Sequence, residues 1–101
     1  MFRNAYCLVI RSFGDRATER LFRNQDCPAR WRAIEAVAVR KLDMLDAATR
    51  LSDLRSPPGN QLEALKRERV GQHSIRINRQ WRLCFRWTPT GPEDVVIVDY
   101  H

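Results

Sequence analysis

Histidine, cysteine and glycine are all scarce here, with two, three and four occurrences in 101 residues. Cys7, Cys27 and Cys84 are odd in number, widely spaced and nowhere arranged as Cys-x-x-Cys, and His73 and His101 add no paired ligand spacing. That pattern does not build a structural zinc site, and free thiols suit a reducing cytoplasm. Neither a metal nor a cofactor is expected. A long apolar run is also missing. The opening stretch MFRNAYCLVIRSF has no extended hydrophobic core and meets Arg11 early, so it reads as neither a secretory signal nor a membrane span. The expected location is cytoplasmic, with no membrane partner.

What the chain has in excess is positive charge. Lys plus Arg outnumber Asp plus Glu by 18 to 12, a net charge of +6, which favours a polyanionic partner and nucleic acid before membrane. The excess is not uniform. Lys66, Arg67, Arg69, Arg76, Arg79, Arg82 and Arg86 face a single carboxylate, Glu68, across residues 66–86, whereas residues 43–53 are acidic. Arginine predominates in the basic stretch, and its planar fork suits bidentate phosphate contacts and stacking on bases. A hydrophobic content of 44% and the length place the chain as one globular domain, residues 1–101.

Residues 8–13 can form a first strand, broken at Gly14 and Asp15, and Asp15 can cap the helix that follows. Ala17, Leu21 and Phe22 share one face of that helix, which ends near Gln25. Residues 26–28 form the next boundary, with Pro28 suited to a first helical turn. Trp31, Ile34, Val37 or Ala38, Leu42 or Lys41, and Leu45 then recur at three and four residue steps, predicting a long amphipathic helix from 29 to about 48. After a connector over 49–60 punctuated by Pro57, Pro58 and Gly59, the period changes to two. Ile75 and Ile77 alternate with polar neighbours over 73–78, and Trp81, Leu83, Phe85 and Trp87 alternate with Arg82, Cys84 and Arg86. The Arg79–Gln80 link is short enough for a hairpin although it lacks the usual glycine. A turn over 88–93 leads to a last strand over 94–100. The expected fold is α+β in the order β-α-α-β-β-β, a small twisted, mainly antiparallel sheet with the two helices on one face.

The alternation assigns faces. With Trp81, Leu83 and Phe85 under the helices, Arg82, Arg86 and Arg76 project from the open face. The last strand runs through Val95, Val96, Ile97 and Val98 into Asp99, Tyr100 and His101, a carboxylate, a phenol and an imidazole that can move protons or contact phosphate.

The run GNQLEALKRERVGQHSIRINRQWRLCFRW, followed after one loop by DVVIVDYH, closely resembles the HigB branch of the RelE-like toxins, the plasmid maintenance system killer family, and IRSFGDRATERLF resembles the start of that family. The joint presence of Ser-Ile-Arg-Ile, Trp-Arg-x-x-Phe and a closing Asp-Tyr-His is more specific than any one of them. The similarity covers about residues 9–101, leaving residues 1–7 as either an N-terminal extension or an over-long start. It implies a RelE-like fold and the toxin of a type II toxin-antitoxin system. Such a toxin is a metal-independent endoribonuclease that binds the bacterial ribosome and cleaves mRNA in the decoding site. Its implied inhibitor is a HigA-like helix-turn-helix antitoxin, and contact with operator DNA comes only through that complex. On the resemblance, Asp99, Tyr100 and His101 fall at the family's active C-terminus and Lys66 matches its loop lysine.

Arg76 and Arg82 are the inferred phosphate clamps, with Arg67, Arg69, Arg86 and His73 completing the RNA-binding set. Three positions depart from the family pattern. Glu63 stands where many members carry histidine, so either His101 performs the imidazole's work or Glu63 takes the base role. The loop after Lys66 reads Arg67, Glu68, Arg69 rather than Gly-Asp, and His73 stands where an aromatic is usual. A non-catalytic basic module that binds RNA or the ribosome is the alternative function, and it would need the arginines but not the Asp-Tyr-His end.

Overall fold

A computed structural model describes residues 9–100, so Cys7, the start of the first expected strand and His101 lie outside the described residues. The first helix forms as the sequence predicts. α1 spans Arg16–Asn24, Asp15 caps it by accepting from the Thr18 amide at 2.8 Å, and Gln25 closes it in the left-handed region at φ 57°. Leu21 is buried, and so is Thr18, whose hydroxyl accepts from the Ile97 amide at 3.1 Å and fastens the helix to the last strand.

The expected second helix divides. Residues Ala29–Ile34 form a 3₁₀ coil, and α2 proper runs over Glu35–Ala47. Pro28 offers no side-chain cap, and its carbonyl accepts from the Trp31 amide in the tighter i to i+3 manner. That winding puts Trp31 and Ile34 on one side, where both are buried and Trp31 meets Trp81 edge-on at 6.2 Å. Ala38, Lys41, Leu42 and Leu45 continue the buried face along α2.

The sheet has four antiparallel strands in the order β1 Glu63–Ala64, β2 His73–Arg76, β3 Trp81–Thr88 and β4 Gly91–Asp99. α2 packs against β3 and β4, and α1 against β4, so both helices cover one face as expected. Ile75, Leu83, Phe85, Val95 and Ile97 supply the core on that side.

The order of elements differs from the sequence expectation at the N-terminus. Among the described residues the first expected strand reduces to a bridge, Phe13 parallel to Val95, and the strand count is made up by the short β1. The segment does lie along β4: Arg11 donates to Pro92, Gly14 to Val95, and Val95 to Ser12. A ladder fails to develop because Pro92 has no N–H to return, and Asp94 sits in a bulge with φ 54°. Side chains take over the remaining bonds, the Ile10 amide donating to buried Asp46 at 2.9 Å and the Asp94 amide to the Ser12 hydroxyl at 2.9 Å.

Two other joints explain themselves locally. The β2–β3 hairpin does without glycine because Asn78 Oδ1 accepts from the amides of Gln80 and Trp81, an Asx turn. The connector folds into 3₁₀ turns at Leu51–Arg55 and Pro58–Asn60, and buried Asn60 holds it by donating to the carbonyls of Leu54 and Ser56 and accepting from Lys41. Desolvation, with Arg40 and Arg76 nearby, pushes the Lys41 ammonium below its ordinary value. Among the described residues no helix is long and apolar enough to cross a membrane.

Candidate active site

Strand register decides which side chains can meet on the open face. Glu63 pairs with Ser74, Ser74 with Cys84 and Cys84 with Val96, while Arg76 pairs with Arg82 and Arg82 with Val98. Directly opposed residues point the same way, so Glu63, Ser74 and Arg82 share this face, and alternation along β4 adds Tyr100.

Arg82 lies at the centre and corrects the sequence expectation. It projects from the predicted face but not into solvent, being 7% exposed. Its Nε donates to Ser74 Oγ at 2.7 Å and its Nη2 to the Gln61 carbonyl at 2.6 Å, so the guanidinium is held in one orientation. Glu63 Oε1 stands 3.9 Å from the same Nε. The Tyr100 ring covers the group, with the guanidinium carbon 5.4 Å from the ring centre.

Tyr100 Oη donates to Glu63 Oε1 at 3.1 Å. That bond, with the Glu63 charge behind it, raises the phenol above its ordinary value, so the hydroxyl keeps its proton well past neutrality. Below this layer the thiol of Cys84 is fully buried, and desolvation pushes it up against the opposing pull of Arg69 and Arg82. Such a thiol is a packing group, not a nucleophile.

The remaining sequence-predicted residues distribute around this cluster. Asp99 falls on the other side of β4, in line with Val95 and Ile97, and accepts from Gln80 at 3.0 Å, so Asp99 and Tyr100 point opposite ways as alternation predicts. Lys66 precedes a 3₁₀ turn at Arg67–Arg69 and is exposed beside Arg67, which adopts φ 58°. Arg69 bonds the Gln72 side chain at 3.3 Å. Arg76 is half-buried, and Arg86 lies 3.8 Å from Asp94. His73 belongs to the opposite face, its ring stacked on Phe85 at 6.4 Å. The sequence reading missed Ser74 and the Gln61 carbonyl. Ser74 had a signal, since it alternates with Ile75 onto the arginine face; a backbone carbonyl has none.

Chemically the cluster offers an enclosed cation whose charge acts on a phosphate laid over it, a carboxylate to take a proton and a phenol fixed against it. Among the described residues no three His, Cys, Asp or Glu side chains gather as metal ligands.

Comparison with known proteins bears on the same elements. Toxin HigB-1 of Vibrio cholerae is 53% identical over 55 residues, which is 54% of this chain and 58% of that protein. An uncharacterized protein of Haemophilus influenzae is 47% identical over 51 residues, half of each chain. The chain thus spans between half and three-fifths of the length of these relatives. The profile of the HigB-like toxins, described as RelE-like toxins of type II toxin-antitoxin systems, matches residues 11–101, from the segment beside β4 through Glu63, Arg82 and Tyr100. A match of that extent makes this chain a member of the HigB-like family of RelE-like toxins.

Proposed function

We propose that the chain is a metal-independent endoribonuclease that cleaves mRNA on the bacterial ribosome, arrests growth, and is neutralised by a HigA-like helix-turn-helix antitoxin. The observation that carries this reading is the meeting of Glu63, Arg82 and Tyr100 on one open sheet face. A structural ion pair alone would not need a phenol and a carboxylate locked over a buried guanidinium with their outer edges exposed.

In the proposed reaction the RNA 2′-oxygen attacks the adjacent phosphorus in line, and the bond from phosphorus to the 5′-oxygen breaks. The 2′-hydroxyl proton passes to Glu63, whose Oε2 is left by the two contacts made to Oε1. The departing 5′-oxygen takes a proton from the C-terminal acid, His101, so the products are a cyclic phosphate and a 5′-hydroxyl. Tyr100 orients Glu63, and Arg82 with Lys66 stabilises the charge that accumulates on phosphorus oxygens in the transition state. One preorganised donor of this kind is worth about 10² to 10³ in rate.

With so few reacting groups, alignment by ribosomal RNA supplies a large share of the effect, and free RNA is a poor substrate. The ribosome places the activity in the cytoplasm, and operator DNA is met only through the antitoxin complex. Binding weakens steeply with salt because cations at residues 66–86 displace counterions from RNA.

The test is induction of the gene followed by mapping of transcript ends. Growth arrest with 5′-hydroxyl ends confined to translated frames is the expected result. Arrest with intact transcripts would replace this reading with a non-catalytic ribosome-binding module. Equal cutting of naked and ribosome-bound message by purified protein would remove the ribosome from the mechanism.

A further inference from the structure

Beside the cluster, β1 and the 3₁₀ turn at Leu51–Arg55 frame a groove of about 660 Å³. Leu51, Leu62 and Ala64 give it apolar walls, and Ser52, Arg55, Glu63 and His73 give it polar groups. The volume is that of a small-molecule site rather than a seat for a helix or strand. Apolar walls with a few hydrogen-bonding groups suit an unstacked base.

Three features point to an occupant. First, Glu63 lines the groove and also belongs to the Arg82–Tyr100 cluster on the other face of β1, so an RNA strand that crosses the cluster and turns over the β1 edge brings its next nucleotide to the groove. Second, Ser52 and Arg55 are exposed, which leaves a hydroxyl and a guanidinium at the rim for a base edge and a phosphate. Third, the His73 ring lies stacked against Phe85, and its Nδ1 is buried without a hydrogen-bond partner. Buried polar atoms left in this way are rare and costly, and a base edge reached by a small shift of the ring would satisfy it.

We propose that this groove is a nucleobase pocket that takes the nucleotide adjoining the scissile phosphate and sets the base preference of cleavage; the inference rests on the ribonuclease reading above. The base enters between Leu51 and Leu62, its edge meets Ser52 and His73, and Arg55 holds its phosphate. Selectivity arises because a base that mismatches the polar groups leaves them unpaired.

Two measurements on the full chain test this, with Ser52→Phe to fill the groove and Arg55→Ala to remove its cation. Both positions are exposed, and circular dichroism checks that each variant is folded. Titration of the four nucleoside 5′-monophosphates is followed by amide chemical shifts. At least one is expected to move Ser52, Ala64 and His73, with affinity falling about tenfold in Ser52→Phe, the loss that accompanies removal of one stacked base. Mapping of 5′-hydroxyl ends on translating ribosomes is expected to show that both variants still cut, with the wild-type preference beside the cut flattened about tenfold. Unmoved groove resonances, or an unchanged base preference in both folded variants, overturns the pocket. Nucleotide binding in the groove by a wild-type protein that cuts no message instead overturns the ribonuclease reading and the groove's assignment to cleavage.

Discussion

Tyr100 donates its hydroxyl hydrogen to Glu63 at 3.1 Å, joining two positions 37 residues apart across a sheet whose intervening strands carry Ser74 and Arg82. Tyr100 is 42% exposed and Arg82 beneath it 7%, so the Tyr100–Glu63 pair forms a lid over a charge rather than a surface bridge.

Arg82→Ala is therefore expected to lose stability as well as activity. Ser74 Oγ and the Gln61 carbonyl would be left without their donor, at about 1–3 kcal/mol, and each kcal/mol lowers Tm by about 4–8 °C in a domain of this size. Lys66→Ala, at an exposed loop position, should shift stability by no more than about 0.5 kcal/mol while slowing cleavage about 10² to 10³-fold. Thermal melts beside a cleavage assay separate the two. Equal melting temperatures for both variants would contradict the burial of Arg82.

Tyr100→Phe keeps the ring over Arg82 and removes the bond to Glu63. Because the folded state favours the neutral phenol, its contribution to stability is complete below pH of about 10 and is lost only as pH rises through the raised value. Alkaline absorbance titration of wild type minus Tyr100→Phe should show tyrosinate appearing above about pH 10. A step at or below that value would remove the phenol–carboxylate contact. Cleavage by the variant should be slow with near-normal ribosome binding, since only the orientation of Glu63 is lost.

Deletion of His101 tests the proposed acid. Growth arrest is expected to vanish while circular dichroism stays native. Full toxicity in the folded deletion would transfer the proton donor to the Glu63–Lys66 region.

Gly91 gives a test of the fold. It begins β4 at φ 130°, and an added Cβ would overlap the Val9 carbonyl oxygen. Gly91→Ala should cost at least about 1–3 kcal/mol from backbone strain alone and loosen the segment that runs beside β4. Gly59, where an added Cβ meets nothing within 4 Å, is the control, and Gly59→Ala should be near neutral. Denaturant melts that rank the two equally would refute the close approach of Val9.

Periodicity made much of this legible. The period of two over residues 81–87 and the spacing from Trp31 to Leu45 identified the faces that pack, and Asp15 and Gln25 marked the ends of α1. What escaped was set by tertiary contacts. The 3₁₀ winding at Ala29–Ile34 follows from Pro28 and the seating of Trp31 against Trp81, and β1 exists only because Glu63 and Ala64 find β2. The site divided in the same way. Alternation placed Arg82 on the correct face, but its burial depends on Tyr100 folding over it and on the Gln61 carbonyl, neither of which a one-dimensional pattern carries.

The attachment of residues 10–18 to β4 also fixes when the molecule can assemble. Ile97 bonds Thr18 and Asp94 bonds Ser12, contacts spanning 79 and 82 positions, so α1 and the segment before it have no sheet to rest on until β4 exists. Such high contact order slows folding and defers it to a late point in synthesis. The face that carries Glu63, Arg82 and Tyr100 is therefore acquired last, in the same cooperative step that closes the core, and a polypeptide still in elongation lacks it.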